Sequence, residues 1–197
     1  MLRLSDGVKK WLILLPTAPL PAKTRVALRR RYLARLELAK ASRASLLIIG
    51  HPKSGNTWLK VMLSRLYQVR YDLPASRLIN TDELALKNPE IPRLAATNGY
   101  YSYEGAVGEL LQPGAADNVL RHKAVVILTR NPLDIAVSWF FQFTRRQSRA
   151  KQELINHFIT NPIDRNTIGM WDFVRHSDIG LISLISFLNG WEAIGAG

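Results

Sequence analysis

The stretch that decides the fold is Gly50-His51-Pro52-Lys53-Ser54-Gly55-Asn56-Thr57, which lies between two apolar segments. Residues 45–50 form a short apolar run of the kind found in parallel strands that are covered on both faces. After the loop, apolar residues recur at helical spacing and predict the packed face of a helix that begins near Asn56: Leu59, Met62, Leu63 and Leu66. A glycine-containing loop between a strand and a helix is the usual ligand site of an open α/β sheet.

A second unit of the same kind lies further along the chain. Residues 124–129 are another apolar run, which predicts a second buried strand. Arg130-Asn131-Pro132 follows, and Pro132 suits the first position of a helix because no amide hydrogen is needed there. The helix should pack through an apolar face formed by Leu133, Ala136, Val137 and Phe140. Two such units predict an α/β fold with a central parallel sheet between layers of helices.

The loop has the composition of a phosphate site. Gly50 and Gly55 allow tight turns and a close approach of the backbone to a ligand. The first amides of the following helix point at an incoming anion, and the helix dipole favours negative charge there. The hydroxyl groups of Ser54 and Thr57 can donate to phosphate oxygens, and Lys53 supplies a full positive charge.

This loop departs from the loop of nucleotide triphosphatases and kinases, G-x-x-x-x-G-K-[ST], at an informative position. Asn56 stands where that pattern has lysine, and the lysine lies three residues earlier, at position 53. The second strand ends in Thr129-Arg130, whereas a magnesium-dependent kinase needs an acidic residue near a strand end. A P-loop nucleotide kinase is therefore the less favoured interpretation.

Both motifs resemble those of the sulfotransferase family. Residues 52–59, P-K-S-G-N-T-W-L, are similar to the signature that binds the 5′-phosphosulfate end of 3′-phosphoadenylyl sulfate, whose usual form is P-K-S-G-T-T-W. Residues 130–138, R-N-P-L-D-I-A-V-S, resemble the second signature, which grips the 3′-phosphate. The resemblance extends over roughly residues 45–191. It implies a three-layer P-loop NTPase-like fold and a metal-independent transfer of a sulfuryl group from this donor to a hydroxyl or amine acceptor.

The resemblance also implies a role for each matching residue. Lys53 is the catalytic residue, which contacts the sulfate-bridging oxygen of the donor. The 5′-phosphate is cradled by Ser54, Gly55, Asn56 and Thr57. Trp58 lies near the adenine, while Arg130 and Ser138 hold the 3′-phosphate. The acceptor is a small molecule or a glycan.

The general base is the weakest part of the resemblance. The family usually places a histidine in a short T-H segment after a strand, and the best match here is Ala96-Thr97-Asn98-Gly99. Asn98 cannot accept a proton at neutral pH. Glu104, Asp82 and His51 are the alternatives for this role. A donor-binding relative or fragment that is impaired in catalysis is therefore the main alternative to an active sulfotransferase.

The chain divides into residues 1–44, a basic lead-in with a helix, and residues 45–197, the sulfotransferase-like domain. We expect residues 1–22 to be irregular because of their three prolines. Residues 23–42 predict a helix whose packed side carries Leu28, Tyr32, Leu36 and Ala39, with the arginines in solvent. Residues 180–194 predict an apolar helix. Nothing after Trp191 resembles the family's closing basic loop, so we expect the domain to be incomplete at its C-terminus.

The formal net charge of +12 fits a polyanionic partner: a small anionic substrate, an anionic membrane surface or a nucleic acid. No aromatic–basic recognition signature accompanies the charge, so we do not expect a nucleic-acid partner. The absence of cysteine excludes disulfides, a thiolate metal site and a cysteine nucleophile. We predict a cytoplasmic protein, with peripheral membrane contact through the basic N-terminal end as a further expectation.

Overall fold

The computed structural model describes residues 6–75, 84–85, 87–97, 123–157 and 159–195. Its centre is a parallel sheet of strands β1 (Leu46–Gly50), β2 (Leu94–Thr97) and β3 (Ala124–Leu128) in the order β2-β1-β3. The register pairs Ile49 with Thr97 and Gly50 with Leu128. The predicted parallel sheet is confirmed, and β2 is a strand that the sequence pattern did not reveal as such.

Helices precede, separate and follow these strands. Their bounds are α1 (Asp6–Leu14), α2 (Ala22–Arg43), α3 (Asn56–Arg70), α4 (Pro132–Phe141), α5 (Arg149–Asn156), α6 (Met170–Arg175) and α7 (Leu181–Gly195). A π-helical turn, Gln142–Arg146, continues directly from α4. None of the described helices is both long enough and apolar enough to span a bilayer.

Two clusters of buried side chains cover the two faces of the sheet. One joins alternate residues of β1 to α2 and α7, through Leu47, Ile49, Ala41 and Trp191. The other joins β2 to α3, through Leu94 and Tyr67, with Leu46 packed against it. Successive side chains of a strand point to opposite faces, so β1 contributes to both clusters. The predicted three-layer α/β architecture is confirmed.

The predicted helix faces are partly wrong. On α3, Met62 and Leu66 are exposed, whereas Ser64, Tyr67 and Gln68 are buried. On α4, Leu133 and Val137 are exposed, and the buried residues are Ile135, Ala136 and Trp139. Both helices follow loops that fix their rotation about the axis, and this constraint overrides the apolar pattern. β3 was predicted to be buried, yet Val125 and Val126 are exposed because β3 is an edge strand in the described sheet.

The N-terminal prediction also needs correction. Residues 1–22 were expected to be irregular, but Asp6–Leu14 is helical because the prolines begin only at Pro16. The predicted helix over residues 23–42 is confirmed as α2, although its buried residues are Val26, Arg29, Leu33 and Ala41. Tyr32 and Ala39 are exposed. Arg29 is buried because α1 and α5 supply oxygen atoms for its guanidinium group.

Candidate functional site

The carboxyl edge of the sheet brings the two predicted motifs together. Gly50 and Leu128 are register partners in adjacent parallel strands, which lie about 4.8 Å apart. The loop His51–Gly55 and the segment Thr129–Asn131 therefore leave the sheet side by side. Each leads into a helix, α3 and α4, whose first amides face this edge.

The backbone of the loop leaves no room for a side chain at one position and adopts a positive φ at two others. A Cβ atom on Gly50 would lie 2.8 Å from Asn56 Oδ1, so only glycine fits there without a shift of that side chain. Gly55 has φ of 114°, a value that residues with a side chain rarely adopt. Lys53 has φ of 75°, an uncommon conformation that costs about 1 kcal/mol for a residue with a Cβ atom. The amide of Ser54 donates to the carbonyl oxygen of His51 at 3.0 Å and closes the turn.

The ammonium group of Lys53 has a defined neighbour. Lys53 Nζ donates to Gln142 Oε1 at 3.4 Å, and Gln142 Nε2 donates to Gln147 Oε1 at 3.3 Å. Arg165 donates to the carbonyl oxygens of Gln147 and Thr144. These contacts tie the lysine to the π-helical turn after α4. Single π-helical turns within helices are frequent at functional sites.

The polar side chains of the loop fit a phosphate group. Ser54 Oγ is buried and has no hydrogen-bond partner among the described residues. A buried hydroxyl group without a partner costs free energy, which an incoming phosphate oxygen would recover. Thr57 is exposed beside it, and Asn56 Nδ2 donates to the carbonyl oxygen of Gly50 at 3.4 Å. Trp58 is 75% exposed, so it is a surface residue rather than a core residue.

The second motif begins with a capped helix. Asn131 Oδ1 accepts from the amide of Leu133 at 2.9 Å, and Pro132 occupies the first helical turn as predicted. Arg130 forms an exposed ion pair with Asp134, with Nη2 and Oδ2 3.4 Å apart. Such a pair contributes little to stability, so Arg130 can exchange its partner for a phosphate at low cost. Ser138 is half-buried two turns further along α4.

His51 is the first residue of the loop, and its side chain packs into the interior instead of facing a ligand. Its side chain is 1% exposed, with edge contacts to Trp139 and Phe187. Burial lowers the pKa of His51 to about 4, and the hydrogen bond with the carbonyl oxygen of Pro52 opposes this only in part. The ring is therefore neutral at physiological pH and supports the floor of the loop.

Several residues predicted to act in the site lie outside the described part of the chain. These are Asn98, which stands where the family has its histidine, and the candidate bases Glu104 and Asp82. The described residues contain no group of three or more His, Asp or Glu side chains placed to hold a metal ion. Gln142 is a site residue that the sequence analysis missed. Only the position of Gln142 shortly after the second motif could have suggested it, because the π-helical turn that orients it follows from tertiary packing.

Comparison with known proteins agrees with the motifs. The family model that describes a sulfotransferase domain matches residues 43–176. Comparison with curated proteins gave no match, and comparison with solved structures gave none either. The matched range covers more than half of the chain and includes the loop, the sheet, Arg130 and the helix that carries Ser138. With this range and the parallel α/β architecture taken together, the chain belongs to the sulfotransferase family.

Proposed function

We propose that this chain transfers a sulfuryl group from 3′-phosphoadenylyl sulfate to a hydroxyl or amine group of a small molecule or glycan. The observation that carries the proposal is the loop itself. It combines a lysine, a glycine at φ of 114° and a buried hydroxyl group that lacks a partner among the described residues. All three residues follow the carboxyl end of β1, and the neighbouring strand β3 leads to Arg130.

The donor has two charged ends, and the edge of the sheet offers two matching groups of residues. The 5′-phosphate fits the amides at the start of α3 together with Ser54, Asn56 and Thr57. The 3′-phosphate fits Arg130 and Ser138, which belong to the neighbouring strand–helix unit. Exposed Trp58, in the first turn of α3, offers a flat apolar surface for the adenine. A nucleotide with phosphates at both ends would therefore bind better than one with a single phosphate.

The transfer step exchanges one bond to sulfur for another. The acceptor oxygen or nitrogen forms a bond to sulfur while the bond from sulfur to the bridging phosphate oxygen breaks. Negative charge grows on that bridging oxygen, and the ammonium group of Lys53 stabilises it. The proton of the acceptor leaves to a base. His51 is not this base, because its ring is buried between Trp139 and Phe187.

Binding and transfer can be tested separately. Calorimetric titration should show that adenosine 3′,5′-bisphosphate binds more tightly than adenosine 5′-phosphate or ATP with magnesium. Arg130→Gln should weaken bisphosphate binding about tenfold and leave adenosine 5′-phosphate unchanged, because one charged hydrogen bond to the 3′-phosphate is lost. Lys53→Ala should lower the rate of sulfuryl transfer by roughly a hundredfold or more, as expected when a group that stabilises the transition state is removed.

The matched control is Lys87→Ala, which removes an exposed lysine outside both motifs and should change neither quantity. A preference for ATP with magnesium would overturn the proposal in favour of a nucleotide kinase. Bisphosphate binding without transfer to phenols, alcohols or amines, under conditions in which an active sulfotransferase transfers, would favour the impaired donor-binding relative.

A further inference from the structure

Helix α1 presents an apolar surface to solvent. Val8, Trp11, Leu12 and Leu15 are between 43% and 60% exposed, and they recur at the i, i+3, i+4, i+7 spacing of one helix face. The helical turn extends to the last of them, because the amide of Leu15 donates to the carbonyl oxygen of Trp11. We call these four residues the outer stripe. A tryptophan beside aliphatic residues on one exposed face is unusual for a free surface.

The outer stripe is held outward by contacts on the other side of the same segment. Ile13 packs against the buried cluster of Val26, Leu33 and Leu154. Arg29 Nη2 donates to the carbonyl oxygen of Leu14 at 3.0 Å, and Arg29 Nε donates to Thr17 Oγ1 at 2.8 Å. These contacts fix the rotation of α1 against α2, so the outer stripe cannot turn inward without breaking them.

Positive charge is concentrated in the same N-terminal part of the chain. The first 43 residues carry eleven of the chain's 27 basic residues and two of its fifteen acidic residues. Lys9 and Lys10 lie within α1 itself. On α2, Lys23, Arg31 and Arg35 are exposed. The family match begins at residue 43, so ten of these eleven basic residues precede the matched range that carries the proposed donor site.

We propose that α1 docks on an anionic lipid surface, with the outer stripe inserted at the boundary of headgroups and acyl chains. A basic amphipathic helix with tryptophan and leucine on its apolar face lies in the plane of such an interface. Basic residues near the surface add attraction to anionic lipids. A nucleic acid would use the charge but not the stripe, and a second copy of this chain would bring like charges together. The lipid surface satisfies both features at once.

The test is sedimentation of the whole chain with vesicles of phosphatidylcholine and phosphatidylserine, compared with vesicles of phosphatidylcholine alone. Binding should need the anionic lipid and should weaken as salt is raised. Trp11→Ser should lower the partition coefficient about tenfold through the loss of apolar burial. The double variant Arg31→Gln and Arg35→Gln should lower it by more than tenfold, at about fivefold for each charge.

Matched variants separate this surface from general effects. Trp171→Ser removes another exposed tryptophan, and Arg145→Gln with Arg146→Gln removes two exposed charges elsewhere, so net charge is equal in the two double variants. Both controls should bind vesicles as the wild type does. Equal losses in test and control variants would overturn the proposal. So would a failure to bind anionic vesicles, or a dimer in light scattering that Trp11→Ser dissociates.

Discussion

Two regions of this molecule use positive charge in different ways. At the carboxyl edge of the sheet, the charged residues are few and the backbone places each of them. Lys53 itself adopts a positive φ in the loop, and Arg130 lies between the end of β3 and the start of α4. In α1 and α2 the charge is abundant, and half of the described basic side chains are exposed. Net charge therefore indicates the class of partner, while backbone geometry indicates the site.

The two regions also differ in what stabilises them. The loop is held by the buried ring of His51, which contacts buried Trp139 and partly buried Phe187. The α1–α2 region is joined to the domain by a polar cluster in which Glu153 of α5 accepts from Arg25 and Arg29. A change in pH should therefore affect the stability of the loop first, through His51. Loss of the Glu153 carboxylate should first weaken the packing of α1 and α2.

The largest expected effect is the pH dependence of stability through His51. Its pKa is lowered to about 4 by burial, whereas an unfolded histidine titrates at 6.5. Between these values the unfolded chain binds the proton more readily, so the free energy of unfolding falls as pH is lowered from 6.5. The stabilisation is complete above pH 6.5, and the full loss near pH 4 is about 3 kcal/mol. Denaturant unfolding at several pH values measures it.

His51→Gln should remove this pH-dependent loss, since glutamine does not titrate. His157→Gln replaces an exposed histidine and serves as the control, and it should keep the wild-type dependence. If the free energy of unfolding changes with pH equally in both variants between pH 6.5 and 4, the inference that His51 is buried in its neutral form is wrong.

Glu153→Gln should weaken the connection between the N-terminal helices and the domain. Burial lowers the pKa of Arg29, and the nearby charge of Glu153 acts in the opposite direction. Without the carboxylate, a buried guanidinium group loses its counter-charge. Because Glu153 is itself partly exposed, we expect a destabilisation of about 2 kcal/mol, less than for a fully buried pair. Denaturant unfolding measures it, and faster hydrogen exchange in α2 would locate it.

The matched control breaks an ion pair in the other region. Asp134→Asn removes the exposed partner of Arg130 and should cost less than about 0.5 kcal/mol. Equal costs for the two variants would show that the buried and exposed pairs contribute alike, contrary to the difference described above.

The sequence predicted the features that depend on local patterns. The loop, the strands β1 and β3, the start of α4 at Pro132 and the parallel sheet followed from apolar runs, glycines and Pro132. The start of α3 near Asn56 was also predicted. These features depend on short segments whose local preferences agree with the fold.

The features it did not predict depend on tertiary contacts. The rotation of α3 and α4 is set by the loops at their starts, so Met62 and Leu133 are exposed despite lying on the apolar pattern. Arg29 is buried because partners from α1 and α5 meet it, and the sequence of α2 contains no trace of them. β2 escaped notice because a strand of only four residues gives too short a signal. Gln142 depends on a π-helical turn, which no local pattern marked.

The smallest expected effect concerns Gln142 and therefore tests the finest detail of the loop region. Gln142→Met keeps the length of the side chain but removes the oxygen that accepts from Lys53. Because 3.4 Å is long for a hydrogen bond, we expect sulfuryl transfer to slow about fivefold, or about 1 kcal/mol. Bisphosphate affinity should stay unchanged. Gln142→Glu, which retains an accepting oxygen, should lose less activity than Gln142→Met. A parallel fall in activity, bisphosphate affinity and thermal stability would instead assign Gln142 a merely structural role.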